Sequence, residues 1–201
     1  MSNSLIMVFV RNPELGRVKT RLAKTIGDQA ALEIYETLSK HTAKIISEID
    51  SDKLIFYSEK IQDNDIWTVI NCKKQIQTKG DLGEKMLDAF QYGFSLGYKK
   101  IIIIGSDLYS LRPKHIESAF EQLENYDVVI GPALDGGYYL LGLNSVIPEI
   151  FKQKQWSTSS ILKDTLSDLK KFNVNLLEPL NDIDTYEDLK KEPLLLKQIN
   201  I

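Results

Sequence analysis

Four cations lie close together near the start of the chain, within residues 11–21: Arg11, Arg17, Lys19 and Arg21. Cations that converge from one flexible segment, together with exposed backbone N–H groups, suit a diphosphate or a triphosphate. Gly16 lies among them and allows the backbone to approach such a ligand closely. The segment lacks the P-loop motif and the dinucleotide glycine fingerprint. It therefore predicts a polyphosphate site, and a solvated basic loop with surface ion pairs is an equally weighted alternative.

A single acid, Asp107, follows the most apolar run of the chain, residues 100–105. Ligands of open parallel sheets gather at the carboxyl ends of the strands, and Mg²⁺ takes one or two protein carboxylates beside phosphate oxygens and water. Asp107 is therefore a candidate metal ligand, and capping of the next turn is the less favoured alternative. Asp182 and Asp184 follow the last predicted strand and are candidates for a second carboxylate, although Asp184 or Thr185 could instead cap a helix.

Two further polar segments are candidates for the acceptor side of a site. The first follows another predicted strand and contains Asp135, Gly136, Gly137 and Tyr138. Adjacent glycines beside an acid indicate backbone pressed against a ligand, but Asp-Gly also signals a hairpin turn. The second segment, Trp156, Ser157 and Thr158, could form a pocket wall with hydroxyls or a capped helix start. Spacing alone leaves these alternatives open.

Strands and helices alternate along almost the whole chain. Strands are predicted at residues 5–10, 53–57, 100–105, 127–131, 138–143 and 174–177, with weaker candidates at 67–70 and 75–77. Helices are predicted after a cap at Asp28, from 80–83 to Gly97, from Pro113, over 157–172 and from Thr185. Residues 11–27 are predicted to form a loop. The alternation predicts an α/β fold, a three-layer, Rossmann-like sandwich around a mostly parallel sheet.

The composition is that of one globular domain over residues 1–201, with 43% hydrophobic and 26% charged residues. A net charge of −3 provides no global field to hold nucleic acid. The longest aliphatic run, residues 101–104, is too short to span a membrane, and residues 5–10 are too short for a signal peptide. The one cysteine, Cys72, cannot form an internal disulfide, so we expect a reducing, cytoplasmic setting.

These segments together resemble a known bacterial family, the radical-SAM/selenodomain-associated transferases, within the GT-A superfamily of nucleotide-diphospho-sugar transferases. The matching segments are residues 9–13, 16–23, 80–86, 105–107, 131–143, 156–158 and 182–185. Residues 19–23 also resemble the guanylyltransferase that activates 2-phospholactate, and Asp107 is positioned as in the guanylyltransferases of molybdenum cofactor synthesis. The resemblance implies a GT-A fold, phosphate roles for Lys19 and Arg21, a metal role for Asp107, and nucleotide contacts at Gly80 and Asp81.

The leading hypothesis is a metal-dependent transferase that moves a nucleotidyl group from an NTP to a small phosphorylated or hydroxyl acceptor, with Mg²⁺ or Mn²⁺ as cofactor. Glycosyl transfer from a nucleotide-sugar is the alternative, although no Asp-x-Asp follows the central strand. A nucleotide-binding module without turnover is the third, supported only by Tyr109, which stands where the family usually has proline and is expected to reshape the loop beside the acceptor pocket. The expected partners are a nucleotide and a small acceptor, without nucleic acid or membrane, and a homodimer is compatible with the sequence.

Overall fold

The computed structural model describes residues 2–198, and one sheet of seven strands runs through that part of the chain. The strands are β1 (Ser4–Val10), β2 (Asp52–Tyr57), β3 (Lys73–Ile76), β4 (Lys100–Ile104), β5 (Val128–Pro132), β6 (Tyr138–Leu143) and β7 (Val174–Leu176). Their order in the sheet is β3-β2-β1-β4-β6-β5-β7. The predicted mostly parallel α/β fold is confirmed, since every strand pair except those of β6 is parallel.

The strand β6 runs antiparallel to both of its neighbours, β4 and β5. The chain enters it directly from β5 through residues 133–137, and so short a connection can only join antiparallel strands. As a result, the start of β6 lies at the same edge of the sheet as the carboxyl ends of the other strands. The polar segments that follow β1, β4, β5 and β7 all meet at this edge.

Helices cover both faces of the sheet. They are α1 (Thr20–Ile26), α2 (Asp28–Ser47), α3 (Leu82–Ser95), α4 (Pro113–Gln122), α5 (Ile161–Asp168), α6 (Tyr186–Lys190) and α7 (Pro193–Gln198). Along β1 the side chains alternate between two cores: Ile6 and Val8 pack with residues of α2 and α4, whereas Leu5 and Met7 pack with residues of α3. This alternation is the period of a strand that is buried on both sides, and it produces the three predicted layers.

Several predicted boundaries are wrong. Residues 20–26 are not loop but α1, a short helix that buries only Leu22. Residues 66–69 form a 3₁₀ helix capped by Asp65 instead of a strand, and α2 begins after Gly27 with Asp28 inside it. The helix predicted over 157–172 is shorter, because it begins only at Ile161, and α7 was not predicted. The errors at α1, at residues 66–69 and at α7 concern short elements whose apolar positions are too few to establish a period.

No helix within residues 2–198 combines the length and apolar character needed to cross a bilayer. The prediction of a single domain over residues 1–201 stays a prediction, and residues 1 and 199–201 lie outside the described part of the chain.

Candidate active site

A cavity of about 240 Å³ opens at the carboxyl edge of the sheet. Three carboxylates line it: Asp107 after β4, Asp135 after β5, and Asp182 after β7. Of the predicted acceptor-side residues, Gly137, Tyr138, Trp156, Ser157 and Thr158 line it as well. The remaining wall is apolar and includes Phe9, Leu82, Met86, Ile103, Leu141 and Ile161. The cavity thus has an acidic side and an apolar side.

Asp107 is paired with a cation from the basic segment. The Nζ atom of Lys19 lies 3.1 Å from Oδ2 of Asp107. The Lys19 side chain is only 6% exposed, whereas that of Asp107 is 39% exposed. A backbone bond from Ile183 N–H to the Asp107 carbonyl, 3.1 Å long, joins the loop after β7 to the loop after β4. The proximity of basic segment and acid that the sequence predicted is therefore present.

Lys19 is held in an unusual backbone conformation. Its φ and ψ are 48° and 42°, in the left-handed region that non-glycine residues rarely adopt, and it precedes the first residue of α1. Leu22 of α1 is fully buried against Ile34 and Leu38 of α2, so the helix fixes the position of Lys19. Strain of this kind persists only where the surrounding structure enforces it, and it concentrates at functional sites.

Two residues that sequence reasoning missed hold the start of the basic segment. The hydroxyl of Tyr35 accepts a bond from Arg11 N–H (2.9 Å) and donates one to the Arg11 carbonyl (2.7 Å). The buried side chain of Asn12 donates to the Lys60 carbonyl at 2.8 Å and accepts from Glu59 N–H at 3.0 Å. Both residues position backbone and do not contact the cavity. A polar residue directly after a buried strand was the available signal for Asn12.

The other predicted cations have different surroundings. Arg17 is 63% exposed and pairs with Glu14 at 2.7 Å and Glu59 at 3.6 Å, as the alternative of a surface ion pair predicted. Arg21 pairs with Asp184 at 2.9 Å. The exposed Arg11 lines a second cavity of about 270 Å³ beside α2. Gly16 has φ 73°, which suits glycine, but it is exposed in the turn before Lys19.

Asp182 has an unusual electrostatic environment. Burial, followed by repulsion from Asp135 and Asp107, raises its pKa to about 6, and attraction to Lys19 opposes this shift. The negative charge of the three carboxylates is therefore only partly balanced by nearby cations. A hard cation such as Mg²⁺ binds favourably under this condition. Asp184, the other predicted ligand, instead pairs with Arg21.

The carboxylate oxygens at the cavity suit Mg²⁺ or Mn²⁺ only when a phosphate-bearing ligand completes the coordination. Within residues 2–198, no group of three or more His, Cys, Asp or Glu side chains is arranged to hold a metal ion by itself. Mg²⁺ needs no such group, since one or two carboxylates with phosphate oxygens and water are its usual coordination. Asp107 and Asp182, as oxygen donors beside a cavity, fit that requirement.

The first predicted acceptor-side segment packs against the residues that follow the second one. The Gly136 carbonyl accepts from Leu162 N–H at 3.1 Å, and Gly137 N–H donates to Oδ1 of Asp135 at 2.7 Å. Gly136 has φ 94°, and a Cβ there would lie 2.2 Å from the carbonyl oxygen of Ser159. Ser157 also has positive φ, 62°. Residues 133–137 are thus both a hairpin turn and a cavity wall, so the two alternatives hold together.

Gly80 and Asp81, which the resemblance assigned to the nucleotide, shape the start of α3. Asp81 accepts from Glu84 N–H, and Glu84 accepts from Asp81 N–H, both at 2.9 Å, which forms a capping box. Gly80 has φ 123°. Neither residue lines the cavity, but Leu82 and Met86 of the same helix do.

Tyr109 also lies outside the cavity lining, and its ring centroid is 5.3 Å from that of His41.

Comparison with known proteins identifies a family and named relatives. The model of the family described as "Uncharacterized protein conserved in bacteria" (DUF2064) matches residues 42–158, more than half of the chain. A 2-phospho-L-lactate guanylyltransferase of Methanocaldococcus jannaschii is 25% identical over 139 residues, which are 69% of this chain but only 59% of that protein. The protein of the same name in Methanocaldococcus vulcanius is 24% identical over 92% of this chain and 82% of its own length.

Solved structures also resemble this chain over nearly its whole length. One of them comes from Desulfovibrio desulfuricans G20, is provisionally named a nucleotide-diphospho-sugar transferase, and has a TM-score of 0.87. It is 29% identical to this chain, with 99% of each chain covered. The likeness agrees with the GT-A-type α/β fold that the sequence predicted.

Proposed function

We propose that this chain, which belongs to the DUF2064 family, transfers a nucleotidyl group from an NTP to a small phosphorylated or hydroxyl acceptor and releases pyrophosphate. The observation that carries the proposal is the 3.1 Å pair of Lys19 and Asp107, since Asp107 lines the cavity and Asp182 lines it as well. A cation beside carboxylates with unsatisfied charge suits a polyphosphate and a divalent ion that bind together. The names of the two guanylyltransferase relatives support the same reaction class.

The chain's own residues would bind and align the NTP. Lys19, which α1 fixes in place, would hold the β- and γ-phosphates, and Arg21 would reach them from the same segment. Arg11 lines the second cavity, so its phosphate role stays a prediction. Asp107 and Asp182 would hold Mg²⁺, which when bound neutralises charge on the phosphate oxygens. The remaining contribution is alignment: an acceptor that rests against the Asp135–Tyr138 segment is directed in line with the α-phosphorus.

The structure of the site favours Asp182 over Asp184 as the second metal ligand. Asp182 lines the cavity and is close enough to Asp107 for repulsion between them to raise its pKa. Asp184 is held by Arg21 at 2.9 Å. In this proposal Asp184 orients Arg21 toward the phosphates and does not touch the metal.

Glycosyl transfer from a nucleotide-sugar is the second candidate. It is favoured by the similarity to the Desulfovibrio desulfuricans structure, whose provisional name specifies nucleotide-diphospho-sugars. The same residues would then hold the diphosphate leaving group. The association with radical-SAM proteins, the cytoplasmic location and a homodimer are further predictions for this chain.

A thermal-shift experiment separates the candidates. The protein is heated with ATP, CTP, GTP or UTP, or with UDP-glucose or GDP-mannose, each with and without MgCl₂. We expect at least one NTP to stabilise the protein in a Mg²⁺-dependent way, since a ligand at a hundred times its Kd contributes about 2.7 kcal/mol. Stabilisation by a nucleotide-sugar alone would favour glycosyl transfer, and no stabilisation by any nucleotide would refute both candidates.

A further inference from the structure

We infer that the acceptor is an uncharged molecule with an apolar body that offers a hydroxyl, and not a phosphorylated acceptor. The inference rests on the proposed function and narrows it, because that function admits both kinds of acceptor. Two features of the 240 Å³ cavity carry it: a wall of buried apolar side chains, and three aspartates without a Lys, Arg or His among the described residues that line it.

The apolar wall is built from both the sheet and the helices. Ile103 and Leu141 contribute from neighbouring strands, and Met86 and Ile161 contribute from α3 and α5. All four are at most 5% exposed, so they form a fixed surface. Contact with such a surface favours a ligand that removes apolar area from water, because each buried CH₂ is worth about 0.8 kcal/mol.

The indole of Trp156 closes this wall against α3. A Cβ at Gly83 would lie 2.6 Å from Cζ2 of Trp156 and 2.4 Å from the Phe151 carbonyl oxygen. Only glycine at this position lets the indole lie against the helix. Gly83, within the sequence motif at residues 80–86, therefore makes room for the indole of Trp156 beside the cavity.

The charges around the cavity disfavour an anionic acceptor. Among the described residues that line it, three are aspartates and none is Lys, Arg or His. The nearby cation Lys19 is paired with Asp107, and the proposed function assigns it to the donor phosphates. A phosphate monoester carries about two negative charges, so it would face Asp135, the lining carboxylate that is not a proposed metal ligand, without a Lys, Arg or His among the described lining residues to pair with. A hydroxyl avoids this repulsion.

The reaction balances with such an acceptor. The hydroxyl oxygen forms a bond to the α-phosphorus, and the bond from the α-phosphorus to the oxygen of the β-phosphate breaks. Pyrophosphate leaves with that electron pair. The hydroxyl proton passes to the carboxylate of Asp135, which lines the cavity and is not one of the proposed metal ligands.

Matched probes test the inference by binding. Saturation-transfer NMR titrations of the unmodified chain, without Mg²⁺, compare 2-phenylethanol with 2-phenylethyl phosphate. We expect the alcohol to bind at least about tenfold more tightly, a difference of about 1.4 kcal/mol. Equal affinity, tighter binding of the phosphate, or binding of neither probe would each overturn the inference.

A second variant tests the electrostatic part on its own. Leu82 is 41% exposed at the cavity and tolerates a charge, so Leu82→Lys should improve binding of the phosphate at least about fivefold relative to the alcohol. The control is Leu96→Lys, since Leu96 is 44% exposed at the other end of α3 and outside the cavity lining. An equal effect of both variants would contradict the inference.

NTP binding is measured in a separate titration. If no NTP binds, the proposed function fails, whereas the preference of the cavity for one of the two probes can still be measured.

Discussion

The Nζ atom of Lys19 lies 3.1 Å from Oδ2 of Asp107, although the two residues are 88 positions apart in the chain. The pair joins the basic segment after β1 to the acid after β4. In the proposed complex the ion pair is broken, because Lys19 binds the phosphates of the NTP and Asp107 binds the metal ion. The ion pair therefore opposes the binding of the NTP alone or of Mg²⁺ alone, and it favours the binding of both together.

Replacing Lys19 tests this exchange. Lys19→Met keeps the length of the side chain but removes its charge, so NTP affinity in the presence of Mg²⁺ should fall about tenfold or more. Mg²⁺ affinity without nucleotide should rise, because Asp107 no longer has a competing cation. Calorimetric titration measures both. Lys24→Met, on the exposed side of the same helix α1, is the control and should change neither. Unchanged values for Lys19→Met would contradict the assignment.

The two aspartates after β7 should differ in their effect on metal binding. Asp182→Asn removes a proposed ligand and is expected to weaken Mg²⁺-dependent NTP binding about tenfold or more. Asp184→Asn breaks an exposed pair with Arg21, whose contribution to stability is about 0–1 kcal/mol, and should leave the Mg²⁺ dependence in place. Titrations of NTP at a series of Mg²⁺ concentrations distinguish them. The reverse order would reassign the second ligand to Asp184.

The raised pKa of Asp182 predicts how stability depends on pH without ligands. Its pKa is about 6 in the folded state against an ordinary value of 3.8, so the folded state holds more protons between these values. Stability should therefore fall as pH rises through this window and stay lowered above it. Asp182→Asn should raise Tm at pH 7.5 by about 2–4 °C, the shift expected for about 1 kcal/mol after solvent screening. The gain should shrink toward pH 4. Thermal melts by circular dichroism measure the gain in Tm. An equal gain at pH 7.5 and at pH 4 would contradict the raised pKa of Asp182 as its cause.

The close approach of Gly136 to the backbone of Ser159 predicts a steric effect at Gly136. Gly136→Ala should destabilise the protein by about 1–3 kcal/mol, because the new Cβ meets the Ser159 carbonyl oxygen and φ is positive. Gly97→Ala is a matched control, with φ 93° and no atom within 4 Å of its Cβ. The difference between the two variants in chemical denaturation isolates the steric contribution. Equal losses would mean that backbone conformation alone is responsible.

The sequence predicts the central part of the fold well, and it also indicates where one carboxylate of the candidate site, Asp107, lies. The run at residues 101–104 is apolar throughout, because β4 is covered on both faces, and its end locates Asp107 at the edge where ligands gather. Likewise, β6 matches its predicted bounds, 138–143. These features depend on local pattern and on a general rule of parallel sheets.

The apolar side of the site could not be predicted in the same way. It depends on which helix faces meet across the sheet, as when Gly83 of α3 accommodates Trp156 from the segment before α5. Likewise, the left-handed conformation of Lys19 results from α1, a helix too short for its pattern to be recognised. Long-range packing of this kind has no signature at the spacing of neighbouring residues.

The central claim is that a divalent cation at Asp107 joins this chain to an NTP. Calorimetric titration of ATP, CTP, GTP and UTP into the unmodified chain and into Asp107→Asn, with and without MgCl₂, tests it most directly. We expect that at least one NTP binds in a Mg²⁺-dependent manner. Asp107→Asn should lose about tenfold or more of that affinity, while its melting curve keeps a single cooperative transition. NTP binding that responds neither to Mg²⁺ nor to the loss of the Asp107 carboxylate would contradict it.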